Sequence, residues 1–136
     1  MLEIKSYTNQ LIAIIDNLDE VKDSLSFYGV REDDIQVGTF KYLKNKVMRD
    51  HRHIIRERTI KKTQEVLIVW KGKCATRVWD SEDNLIFKGI MKSGDFIIVY
   101  NGGVGYTTLV DNTIMLEVKL GPYNILNDNE DRELII

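Results

Sequence analysis

The sequence predicts a mainly β protein, built as a sandwich, jelly roll or barrel. Two observations carry that expectation. From Ile35 onward the chain reads as about eight short runs rich in β-branched and aromatic residues, at roughly 8–12-residue spacing. Turn residues separate the runs: Lys71-Gly72-Lys73, Ser81-Glu82-Asp83-Asn84, Ser93-Gly94-Asp95, Asn101-Gly102-Gly103, Asp111-Asn112 and Gly121-Pro122.

Residues 1–34 form an N-terminal segment with a different texture. Leu11, Ile14, Ile15, Leu18, Val21 and Leu25 have the spacing of a helical stripe, with Gly29 as a stop. LIAII also reads as a short strand ahead of a shorter helix, so the segment is partly helical with two readings open. The body spans 35–123. Its runs are IQVGTFKYL, KVMRDHRHII, EVLIVWK, CATRVWD, LIFKGIM, FIIVY, VGYTTLV and TIMLEVKL. Residues 124–136 read as a tail. Its acidic NDNEDRE is exposed, and the closing LII docks back on the body or on a partner.

Composition narrows the class. The 136 residues suit one domain, and 43% apolar with 29% charged residues is ordinary for a globular chain. Net charge is −2, and the only loosely basic stretch is KYLKNKVMRDHRH. Phosphate binding needs a concentrated basic face, so nucleic acid is not the expected partner. A single cysteine, Cys74, excludes an intramolecular disulfide. No apolar run reaches membrane-span length and no signal peptide opens the chain, so the expected location is the cytoplasm, away from membranes.

Strand parity picks out a candidate site. On a strand, His51, His53 and Ile55 share one face, and Glu65, Leu67 and Val69 share one face of the next. Two imidazoles and a carboxylate from a neighbouring strand suit a divalent transition metal such as Fe, Zn, Ni or Mn.

The same residues resemble a known family. His51-x-His53 with Glu65 and Gly72 resembles the first cupin motif, and Gly94-Asp95-x4-Tyr100-x-Gly102 resembles the second. TQEVL, GGVGY and EVKLGPY resemble small single-domain bacterial cupins, over roughly residues 36 to 123. The resemblance implies a double-stranded β-helix, a jelly-roll barrel, that forms homodimers and binds a small molecule in its lumen. By resemblance alone, the ligand is a sugar or sugar-nucleotide derivative. His51, His53 and Glu65 take the metal-ligand positions. The fourth ligand falls on Val104, or on Gly105 by the stricter spacing, and neither binds metal. The alternatives are a three-ligand metal site and a metal-free binding barrel. Cupins run many reactions, so no catalytic residue is assigned.

The remaining candidates are weighed against plainer roles. Glu57, between Arg56 and Arg58, is a rival to Glu65 but reads as a solvated loop residue. Tyr106 shares parity with Val104 and lines the same cavity. Arg58 is an anchor for an anionic substrate group or a plain surface arginine. Cys74 reads as a small core residue, and Trp70 and Trp79 as core or dimer-interface residues.

Overall fold

The computed structural model describes residues 1–122 and 133–136. Among the described residues, ten strands make three antiparallel sheets. The first sheet has five strands in the order β1 (Leu2–Lys5), β2 (Leu11–Asn17), β8 (Asp95–Val99), β5 (Glu65–Lys71), β10 (Ile114–Lys119). The second has three, in the order β7 (Leu85–Lys92), β6 (Lys73–Trp79), β9 (Gly103–Thr108). A hairpin of β3 (Ser24–Tyr28) and β4 (Val37–Lys41) stands apart. The mainly β class holds, but the sheets do not close into a barrel.

The five-stranded sheet is a middle layer. Towards the three-stranded sheet, Ala13, Leu67, Val69, Ile97 and Val99 pack with Cys74, Val78 and Met91. On its other face, Ile14, Val66, Phe96 and Ile98 pack with Tyr28 and Tyr100, and Val37 closes in from the hairpin. A strand buried on both faces reads as a continuous apolar run and shows no alternation. That is why FIIV of β8 and IAI of β2 are almost wholly buried. It also decides the N-terminal segment in favour of the strand reading. LIAII is β2, and the helix after it is a single 3-10 turn, Leu18–Glu20, capped by Asn17. The register between β1 and β2 slips after Ile4, leaving Ile12 as the extra residue, and Ile12 is fully buried.

The turns fall where the sequence placed them. Gly72, Gly94 and Gly102 have positive φ, as do Asp83 and Asn112. Asp80 holds the Ser81–Asn84 turn by accepting from the backbone N–H of Glu82 and Asn84, each at 2.9 Å.

One run needs correction. KVMRDHRHII forms no strand; residues 42–64 lack regular structure, and of these only Gln64 is buried. On a strand, one face would carry Arg49, His51, His53, Ile55 and Glu57, and the other Asp50, Arg52, Ile54, Arg56 and Arg58. Neither face is apolar, so pairing into a sheet would bury charge on either side. Gln64 pins the end of this coil. It accepts from Ile35 N–H at 2.8 Å and donates to the Tyr100 carbonyl at 3.2 Å.

The acidic tail falls mostly on residues 123–132, outside the described residues. At the end of the chain, Leu134 fills the space that a Cβ on Gly103 would need. The end of the chain therefore lies against β9, as the docking reading of LII expects, while Ile135 and Ile136 are exposed. Among the described residues no helix is long and apolar enough to cross a membrane.

Candidate functional site between the two main sheets

Glu65 opens β5, paired with Val99 of β8 on one side and Lys119 of β10 on the other. Leu67 and Val69 follow on its face and belong to the core between the two main sheets. Parity therefore turns the half-buried Glu65 carboxylate towards that inter-sheet space. Lys119 stands directly across from it, an opposite-charge cross-strand pair.

β9 brings Val104 and Tyr106 to the same space from the other sheet. Both are half-buried and pack on the same core, where Val104 pairs with Val78 and Tyr106 with Thr76. Gly105 points the other way, beneath the Arg77 guanidinium, where a Cβ would meet Nη2 at 3.0 Å. Of the two positions considered for a fourth ligand, Val104 is the inward one.

Tyr106, like Thr39 and Tyr100 elsewhere, carries a buried hydroxyl without a partner among the described residues, and it alone of the three stands between the two main sheets. Burial is the main cause of its strongly raised pKa, with the charges of Glu65, Cys74 and Glu117 adding to it. The phenol is therefore neutral and keeps its proton to donate. Cys74 beneath it is fully buried, its Sγ 3.6 Å from Thr76 Oγ1, and is a core residue as the sequence reading held.

The histidines are elsewhere. His51, His53 and Arg58 are exposed on the coil 42–64, and so is Glu57, as its loop reading expected. The two imidazoles meet edge to face with ring centroids 5.3 Å apart. His51 Nδ1 lies 2.9 Å from the Arg49 carbonyl, which only accepts, so Nδ1 carries a proton and Nε2 is the nitrogen left free of that bond. Among the described residues no three His, Cys, Asp or Glu side chains stand close enough to hold a metal. As placed, the donor set His51, His53 and Glu65 does not fit a metal: the pair is together, and the carboxylate is not with it.

A second feature escaped the sequence reading. A cleft of about 290 Å³ lies between β2 and β3, lined in part by Glu3, Asp16, Glu20, Phe27 and Tyr28. Tyr28 donates to Asp16 Oδ2 at 2.8 Å, and the Met1 ammonium lies 3.3 Å from Asp16 Oδ1. Burial pushes the Asp16 pKa up, but these partners and the Asn17 N–H outweigh it and hold it below the ordinary value. The sequence signal was the density of acids between Asp16 and Asp34, which a helical reading of the segment hides. The tryptophans divide: Trp79 is buried, but Trp70 is 73% exposed and is no core residue. No family model, curated protein or solved structure matches the chain.

Proposed function

We propose that this chain is a cupin-like binding protein that takes a small polyhydroxylated molecule, a sugar or sugar-nucleotide derivative, between its two main sheets without a metal. The buried, unpartnered Tyr106 hydroxyl carries the reading. An unsatisfied buried donor costs about 1–3 kcal/mol, and a ligand oxygen beside Glu65 and Tyr106 would satisfy it. The phenol donates to a ligand oxygen, while the carboxylates of Glu65 and Glu117 accept from ligand hydroxyls. Val104 supplies an apolar wall where a ligating side chain would otherwise stand. The order of the motifs around Gly72, Gly94-Asp95 and Gly102 supports the cupin kinship. A cytoplasmic homodimer belongs to the same reading.

The test is titration with a panel of free sugars and sugar nucleotides, read by calorimetry on wild type and Tyr106→Phe. Saturable binding that weakens about tenfold or more in Tyr106→Phe, the loss of one hydrogen bond in a desolvated site, supports the reading. Binding untouched by that change refutes it.

A second reading has its own observation. The His51 and His53 rings are in contact and Nε2 of His51 is free of the Nδ1 bond, so the neutral pair is suited to chelating a divalent transition metal such as Fe, Zn, Ni or Mn. Glu65 would complete the set only if the coil folded in over the sheets. Arg58 on the same coil would then arrive as an anchor for an anionic ligand group. Titration with Zn²⁺ should then show one site per chain, abolished in His51→Ala and weakened in Glu65→Gln. Equal affinity in Glu65→Gln would leave a surface histidine pair and no lumen site.

A further inference from the structure

The coil that carries the histidines is out of balance with the rest of the chain. Residues 41–62 hold nine Lys or Arg and two Asp or Glu, a net of +7, while the whole chain is −2, so the remainder carries −9. Large apolar side chains sit among the charges. Ile54 is 90% and Ile55 99% exposed, and Leu43, Val47 and Met48 are exposed beside them. A structureless loop of this length in a small domain is uncommon and is usually either functional or a linker. Polyanion binding would account for the lysines and arginines but not for the isoleucines, which need an apolar surface to leave water.

The complementary surface lies on the same molecule. Residues 16–34 hold seven acidic and two basic side chains, and Leu18, Leu25, Phe27 and Val30 among them are exposed. The cleft between β2 and β3 opens there, with Glu3, Asp16 and Glu20 at its walls and Phe27 beside them. One chain thus presents a basic, apolar arm and an apolar cleft whose acids Glu3, Asp16 and Glu20 outnumber its cations Lys22 and the Met1 ammonium, with Asp16 already paired to Met1 and Glu3 to Lys5. Two copies related by a two-fold axis mate both pairs at once and leave a closed dimer. Pinned at Lys41 and Gln64, the arm reaches out by up to half its contour, on the order of 35 Å.

We propose that the arm 42–63 of each copy docks into the acidic cleft of a second copy, with Ile54 and Ile55 against Phe27 and the arm's lysines and arginines against the exposed Glu3 and Glu20. The proposal deepens the homodimer reading and rests on it, naming the contact that holds the dimer. It differs from the other available face, the exposed outer side of β10 and β5 around Leu116 and Trp70.

Light scattering on the full chain tests it, across micromolar concentrations and at low and high salt. Wild type should be a dimer whose dissociation constant rises about tenfold or more as salt is raised, because opposite net charges drive the contact. Ile54→Asp/Ile55→Asp and Glu3→Lys/Glu20→Lys should each be monomeric at concentrations where wild type is paired. Their circular dichroism should be unchanged, since all four side chains are exposed. A Trp70→Asp chain should remain a dimer. A wild-type dimer that survives both double changes, or that Trp70→Asp alone breaks, overturns the arm exchange and leaves the homodimer reading standing. A wild-type monomer overturns both, and a monomer that a mixed-sequence oligonucleotide shifts assigns the arm to polyanions instead.

Discussion

β5 and the coil before it are consecutive in the chain, yet one is a central strand, with five apolar residues of seven, and the other lies in solvent, with seven apolar residues of the twenty-two in 42–63. In Glu65–Lys71 the apolar side chains fall on both faces, and both faces are covered, by the three-stranded sheet and by the hairpin with Tyr28 and Tyr100. In 42–63 each apolar side chain has a charge beside it on whichever face a strand would offer. The coil lacks both the apolar content of β5 and a face free of charge, and the second lack excludes even its isoleucines from a sheet, because burying an unpaired arginine costs more than burying an isoleucine returns.

Substitutions should separate the two regions widely. Ile97→Ala and Val69→Ala each remove a fully buried side chain from the core between the sheets. Ile97→Ala should lower unfolding free energy by about 2–5 kcal/mol, measured by urea denaturation. Ile55→Ala, in the coil, should change it by less than about 0.5 kcal/mol at a dilution where the chain is monomeric. Comparable losses at the two positions would mean that the coil packs in solution.

The next effect down concerns Gly29, which joins β3 to the loop before β4. Its φ is +74°, and a Cβ there would collide with Asp33 and meet the Tyr100 hydroxyl at 2.7 Å. Gly29→Ala should cost about 1–3 kcal/mol from backbone strain alone, seen as a fall in thermal midpoint. An unchanged midpoint would show that this end of the middle layer is loosely held.

Smaller shifts test the polar groups. Tyr106→Phe should leave the free protein as stable as wild type or up to about 1 kcal/mol more so, since it deletes a buried hydroxyl that lacks a partner. A loss instead would reveal a bond to that hydroxyl. For Asp16 the sign follows from its depressed pKa. Its contribution is fully present above the ordinary value of 3.8 and is lost as pH falls through the lower folded value. The thermal midpoints of wild type and Asp16→Asn should therefore differ at neutral pH and converge in acid. Tyr106 and Tyr100 act at the other end. Burial raises both above 10.0, so folding favours the protonated phenols, and stability falls as pH rises past 10.

Much of the body is legible in the sequence because turn chemistry is local. Gly72, Gly94, Gly102 and Asp83 mark their turns, and between them EVLIVWK is β5 residue for residue. Parity sets the face on which Glu65 and Tyr106 each lie, and the packing of the two sheets brings those faces together. What the sequence hides depends on tertiary cover. LIAII mimics a helical stripe because β2 is buried on both sides. The strand SLSFY is masked by the same stripe. Trp70 looks like core but is the extra residue where the register between β5 and β10 slips, and it is exposed among the described residues. The histidines mislead for the opposite reason: a motif fixes which residues follow one another, not whether their segment has a face to bury.

Calorimetric titration of a sugar-nucleotide panel into wild type, Tyr106→Phe and Ile54→Asp/Ile55→Asp tests the binding site between the sheets most directly. The account predicts one site per chain, weakened about tenfold or more by Tyr106→Phe and kept in the arm variant. Binding that survives Tyr106→Phe but vanishes with the arm change would place recognition on the coil and contradict it.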